Sequence, residues 1–114
     1  MRSFVVYIAD IVNRLERIER YTWEGRDVFL ASELIQDAVL RNFQVIGEAA
    51  KRIPNEFRQE HEQVPWRRMT GFHDVIVHDY ADVILEEVWL TIERDLPALK
   101  HTLSNFSNRC SAEL

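Results

Sequence analysis

The chain has 114 residues, 46% hydrophobic and 29% charged. That is the size and composition of one globular domain, and it excludes a disordered or fibrous chain. Three glycines and three prolines fall well below the about 12% these residues make up on average, too few for the turns of an all-β sandwich or barrel. Fourteen basic against nineteen acidic side chains give a net charge of −5 with His neutral. This excludes nucleic-acid binding by bulk positive charge but not a small basic site, or one built from two subunits.

At the N-terminus, the apolar run from Phe4 to Ala9 stops at Asp10. A signal peptide needs an apolar core of ~7–15 residues with a small-residue cleavage site. No run approaches the ~18 apolar residues of a membrane span. The single cysteine, Cys110, allows no internal disulfide and no cysteine metal site. The expectation is a soluble cytoplasmic protein in a reducing compartment, without membrane association.

Helical periodicity dominates from there. Phe4, Ile8, Ile11, Leu15 and Ile18 form one stripe, predicting a helix over 3–21, and Gly25 marks the turn that follows. Ser32 reads as an N-cap for a second helix carrying Ile35, Val39, Phe43, Ile46, Ala50 and Ile53. Pro54 closes that helix and suits the first turn of a short one over 54–61. Pro65 opens a fourth segment, with Trp66, Met69, Phe72, Val75 and Ile76 as its buried face and Gly71 as a point of close helix approach or a kink. The last pattern is Leu85, Val88, Trp89, Ile92, Leu96, Leu99, Leu103 and Phe106, with a kink or restart just before Pro97. Residues 107–114 are polar and unpatterned, a tail expected to fray. The architecture expected is all-α, an up-and-down bundle of about four to five helices over 1–106 with a C-terminal tail over 107–114. The wide apolar stripes also suit a homodimer.

Chemistry concentrates in Phe72-His73-Asp74-Val75-Ile76-Val77-His78-Asp79-Tyr80. Asp74 and His78, at i and i+4, share a helix face, so Asp74 could orient the His78 ring and fix its tautomer. His73 and His78 are about 140° apart around an ideal helix and would meet more easily near a helix end or across a two-fold axis. Three readings stay open on spacing alone. The His and Asp residues are metal ligands, or His78 is an acid–base group for phosphodiester cleavage, or all are polar residues on a solvated face.

With these residues in place, the chain resembles the HepT-like branch of the HEPN superfamily, the toxin half of HEPN/MNT toxin–antitoxin modules. The resemblance spans about residues 3–106. It is carried by Leu34-Ile35-Gln36-Asp37-Ala38-Val39-Leu40-Arg41-Asn42, by Ile46-Gly47-Glu48-Ala49-Ala50-Lys51, by Trp66 to Tyr80, and by Val88-Trp89. It implies a dimeric, all-helical endoribonuclease that needs no metal or other cofactor. The family motif is Arg, a polar residue, three more residues, His, and a Tyr two further on. Asp74 matches the polar position, His78 the catalytic His, and Tyr80 the Tyr to which a partner MNT-type nucleotidyltransferase attaches AMP. His73 departs from the pattern, standing where the family carries the Arg that contacts the scissile phosphate. An imidazole is partly charged near neutrality and has fewer donors than a guanidinium, so reduced or lost activity is the expectation.

The resemblance thus implies an RNA-cleaving toxin with His78 as base or acid, His73 in the cationic role, and Arg67 or Arg68 as substitutes or RNA contacts. A catalytically inactive helical module that binds the transferase is the alternative, and a metal phosphohydrolase is a third. Glu48 reads as reaching the site or as solvated. Arg41 and Asn42 carry no assigned role, Cys110 reads as inert, and His61 and His101 read as surface residues.

Overall fold

Ile8, Ile11, Leu15 and Ile18 are fully buried, so the first apolar stripe becomes the buried side of α1 (Phe4–Tyr21). The computed structural model of the chain describes residues 4–78, 81 and 83–113, with side chains described to 106. The other described helices are α2 (Arg26–Ala31), α3 (Glu33–Lys51), α4 (Asn55–Glu60), α5 (Trp66–His78), α6 (Leu85–Arg94) and α7 (Leu96–Glu113). The expected all-α bundle is therefore present, as seven helices rather than four or five among the described residues.

The count rises because the last expected segment is divided into α6 and α7 and because α2 is new. Thr22 ends α1 by donating both its amide and its hydroxyl to the Ile18 carbonyl, at 3.0 and 2.7 Å. Gly25 then turns the chain at φ 101°, in a region that side chains with a Cβ rarely adopt. Phe29 plugs α2 into the core, fully buried, with its ring 5.8 Å from that of Trp89. Burial of one such ring contributes roughly 1.5–3 kcal/mol.

Ser32 ends α2 and starts α3. Its hydroxyl accepts from the Ile35 amide at 3.2 Å, the expected N-cap bond. The Gln36 side-chain amide donates to the Phe29 and Leu30 carbonyls at 3.0 and 3.1 Å, adding to the bond that the Ser32 amide donates to Phe29 and tying the end of α2 to the first turn of α3. Pro54, immediately before α4, lacks an N–H where no helix bond is needed. His61 is half-buried rather than a surface residue: it stacks on Phe57 with centroids 4.1 Å apart, and its carbonyl accepts from the Trp66 indole at 3.0 Å. His101 is exposed, as expected.

α3 lies between α1 and α5, while α7 packs along α1 and α6. Lys100 of α7 donates to Glu19 of α1 at 2.6 Å. Helix α6 ends at its C-cap Asp95 and α7 starts at Leu96, so Pro97 sits in a first turn, where a missing N–H is harmless. The α7 backbone is helical through 107–113, where the unpatterned sequence predicts fraying.

Candidate active site

The position of α5 depends on a glycine. A Cβ placed on Gly47 of α3 would lie 2.3 Å from the His73 Cβ and 2.8 Å from the Met69 carbonyl oxygen. The two helices cross with Gly47 against the Met69–His73 turn. Gly71, the glycine expected to serve close approach, faces open space: a Cβ there would meet nothing within 4 Å. Val75 also departs from expectation and is exposed, because it sits about 120° around the helix from Met69. Phe72 is half-buried and stacks on Phe43 at 4.9 Å between centroids.

This crossing turns His73 inward, leaving its side chain 15% exposed. The next residue, Asp74, points outward and is exposed. Its Oδ1 accepts from Lys51 Nζ at 2.5 Å and pairs with His73 Nδ1 at 3.3 Å. Among the described residues, the hydrogen-bond partners of the Asp74 carboxyl are thus Lys51 and His73, rather than His78 as the i, i+4 spacing suggests. The Lys51 hydrogen bond, and after it the one from His73, holds the Asp74 carboxyl below its ordinary value of 3.8, since a donor aimed at a carboxylate favours the ionised form.

His78 is the last residue of α5 and is exposed. On an ideal helix Arg67, Gly71, Asp74 and His78 share one face. All four are exposed here, so α5 presents an exposed ridge carrying Arg67, Asp74 and His78. Arg68 is instead held in an ion pair with Asp95, bracing α5 against the α6–α7 junction. Arg67 also borders an open groove of about 860 Å³ between α4 and α5, with Asn55, Arg58, Gln59 and Thr70. Glu48 is exposed, and Asn42 is buried, donating to the Ala38 carbonyl at 2.7 Å and accepting from Arg14 at 3.3 Å.

Tyr80, the expected modification site, lies outside the described residues, as does the side chain of Cys110. Among the described residues no group of three or more His, Cys, Asp or Glu side chains is placed to hold a metal ion. None of the described helices is long and apolar enough to cross a membrane.

The residues that sequence reasoning missed here are Gly47 and Lys51. Both stand in a segment that carries the family resemblance, but Lys51 ends a helix, where a basic side chain complements the helix dipole, and nothing local assigns it to the site. Its bond to Asp74 spans 23 positions and has no local signal.

The geometry can be set beside known proteins. The family model described as "Ribonuclease HepT-like" matches residues 11–106. A probable ribonuclease HepT of Thermococcus cleftensis is 40% identical over 100 residues, covering 87% of this chain and 91% of the relative. A protein of Caldanaerobacter subterraneus subsp. tengcongensis, named as a candidate RNase, is 34% identical over 95 residues, covering 82% and 85%. A Methanocaldococcus jannaschii protein, named as a gamma-glutamylcyclotransferase and candidate RNase, is 35% identical over 99 residues. That match covers 86% of this chain but 45% of the relative. No solved structure matches the chain significantly.

Proposed function

The chain belongs to the HepT-like ribonuclease family, and from that premise we propose that it is a metal-independent endoribonuclease acting through His78. The carrying observation is the exposed His78 at the end of α5, on one face with Asp74 and Arg67. RNA brings its own nucleophile. Removal of the 2′-OH proton lets that oxygen attack the adjacent phosphorus. The P–O5′ bond breaks as the 5′-oxygen is protonated, leaving a 2′,3′-cyclic phosphate and a 5′-OH. An exposed imidazole can take or give either proton. In a homodimer two copies of His78 divide these roles. Arg67, on the same ridge, would contact RNA further along the strand.

In this reading the protein is a cytoplasmic toxin, silenced when an MNT-type nucleotidyltransferase attaches AMP to Tyr80. Tyr80 follows His78 by two residues, so the added phosphate would place negative charge beside the acid–base group and repel RNA. Incubation with the cognate transferase and ATP should add AMP to Tyr80 by peptide mass spectrometry; modification elsewhere, or none, refutes this part.

Cleavage of a mixed RNA pool in EDTA tests the nuclease. The protein as it stands is compared with His73→Arg, His78→Ala and the double variant. Activity that is raised by His73→Arg and abolished by His78→Ala supports the reading; persistence without His78 overturns it. A second reading, an inactive module that binds the transferase, draws on the 15% exposure of the His73 side chain, which offers a phosphate little. It predicts no cleavage by any of the four proteins, with tight transferase binding retained.

A further inference from the structure

Cleavage of a phosphodiester concentrates negative charge on the phosphoryl oxygens, and a cation placed there lowers the barrier. The residues considered so far supply none beside His78. His73 is packed inward over Gly47 and directs Nδ1 to Asp74. Arg67 and Arg68 precede His78 by eleven and ten residues, about 15 Å or more along the helix and beyond the reach of one side chain. Arg68 is also paired with Asp95.

Lys51 is placed differently. It follows Gly47 by four residues on α3, so the crossing that fixes α5 also fixes Lys51 one turn on. Its Nζ and His73 Nδ1 share one oxygen, Asp74 Oδ1, which sets the Lys51 amine beside the imidazole that stands at the family Arg position. Asp74 is in turn one helical turn from His78. The Lys51 side chain is 43% exposed and that of Asp74 53%, so the pair is open to a ligand. An ammonium has three donors, and Asp74 takes one.

We propose that Lys51 is the phosphate-binding cation of this site, supplied by α3 and held at the α5 ridge by Asp74. The inference rests on the ribonuclease reading of His78 and adds a residue to it. A surface ion pair alone would give Lys51 no part in RNA binding.

The test uses an RNA oligonucleotide with 2′-O-methyl groups, which cannot supply the nucleophile. Its binding to the full protein, Lys51→Met, Lys51→Gln and Lys51→Arg is followed by fluorescence anisotropy over a salt series. One lost phosphate contact lowers the slope of log K against log salt by about 0.7 for a single strand. That reduction is expected in Lys51→Met and Lys51→Gln, with the slope recovered in Lys51→Arg. Cleavage of unmodified RNA by the His73→Arg protein should fall at least about tenfold on adding Lys51→Met, the scale of losing a charge-assisted hydrogen bond. Circular dichroism confirms that each variant is folded. An unchanged slope in folded Lys51→Met and Lys51→Gln overturns the Lys51 assignment while leaving His78-dependent cleavage intact. If neither the parent protein nor His73→Arg binds or cleaves RNA, the ribonuclease reading fails, and this inference with it.

Discussion

Replacing Gly47 by Ala sets two opposing effects against each other. In a helix interior the change is favourable by about 1 kcal/mol on backbone grounds. The new Cβ would, however, lie 2.3 Å from the His73 Cβ and 2.8 Å from the Met69 carbonyl oxygen, against an ordinary carbon–carbon contact of about 3.5–4.0 Å. Neither neighbour is the tip of a flexible side chain, so α5 itself must retreat by about 1 Å. Overpacking of this kind costs about 1–3 kcal/mol, and a clash with fixed atoms belongs at the upper end. The net expectation is a loss of about 2 kcal/mol, or a fall in melting temperature on the order of 10 °C. Gly71→Ala is the matched control. Its Cβ meets nothing within 4 Å, so only the backbone gain remains, about 0.5–1 kcal/mol. Urea unfolding followed by far-ultraviolet circular dichroism measures both. A Gly47→Ala protein as stable as its parent would refute the close crossing of α3 and α5.

Ser32→Ala removes the hydroxyl that accepts from Ile35 and should lower stability by about 1 kcal/mol in the same urea assay. Phe29→Ala empties the socket beside Trp89 and should cost about 3–5 kcal/mol, with a change in Trp fluorescence as the ring loses its neighbour. The Asp74 carboxyl has a folded value below 3.8. Its contribution to stability is therefore present above that unfolded value and lost as pH falls through the folded one. Lys51→Met should move the Asp74 titration, read by carboxyl carbon NMR, back toward the ordinary value, and an unmoved curve would show that Lys51 does not hold the carboxylate in solution.

Much of this fold is legible in the sequence because long helices repeat their pattern. Ile8, Ile11, Leu15 and Ile18 declare their buried side without reference to anything else, and Ser32, Pro54 and Pro97 act locally, Ser32 through its hydroxyl on a nearby amide and the prolines through their own backbones. The six residues of α2 are too few to show a period of 3.6, and what places them is Phe29 meeting Trp89 sixty positions away. The two helical glycines differ only in what faces them, which is a tertiary fact, so Gly71 attracted the role that Gly47 holds. The site divides in the same way. Asp74 and His78 share a helix and their spacing is visible, but a carboxylate bonds to whichever donor comes closest. Here that donor is Lys51 from another helix, which no local spacing can indicate.

The placement of α5 has a topological consequence. It packs chiefly on α3, and Arg67, Gly71, Asp74 and His78 on another side are exposed. On one protomer, a polymer lying along these exposed residues would be approached from the flank. Such a ridge reads no chain terminus: a circular strand, or the loop of a long folded one, meets it as readily as a short fragment with free ends. Selection among strands would then fall to whatever limits lateral access, such as secondary structure in the polymer or a second protein seated across α5.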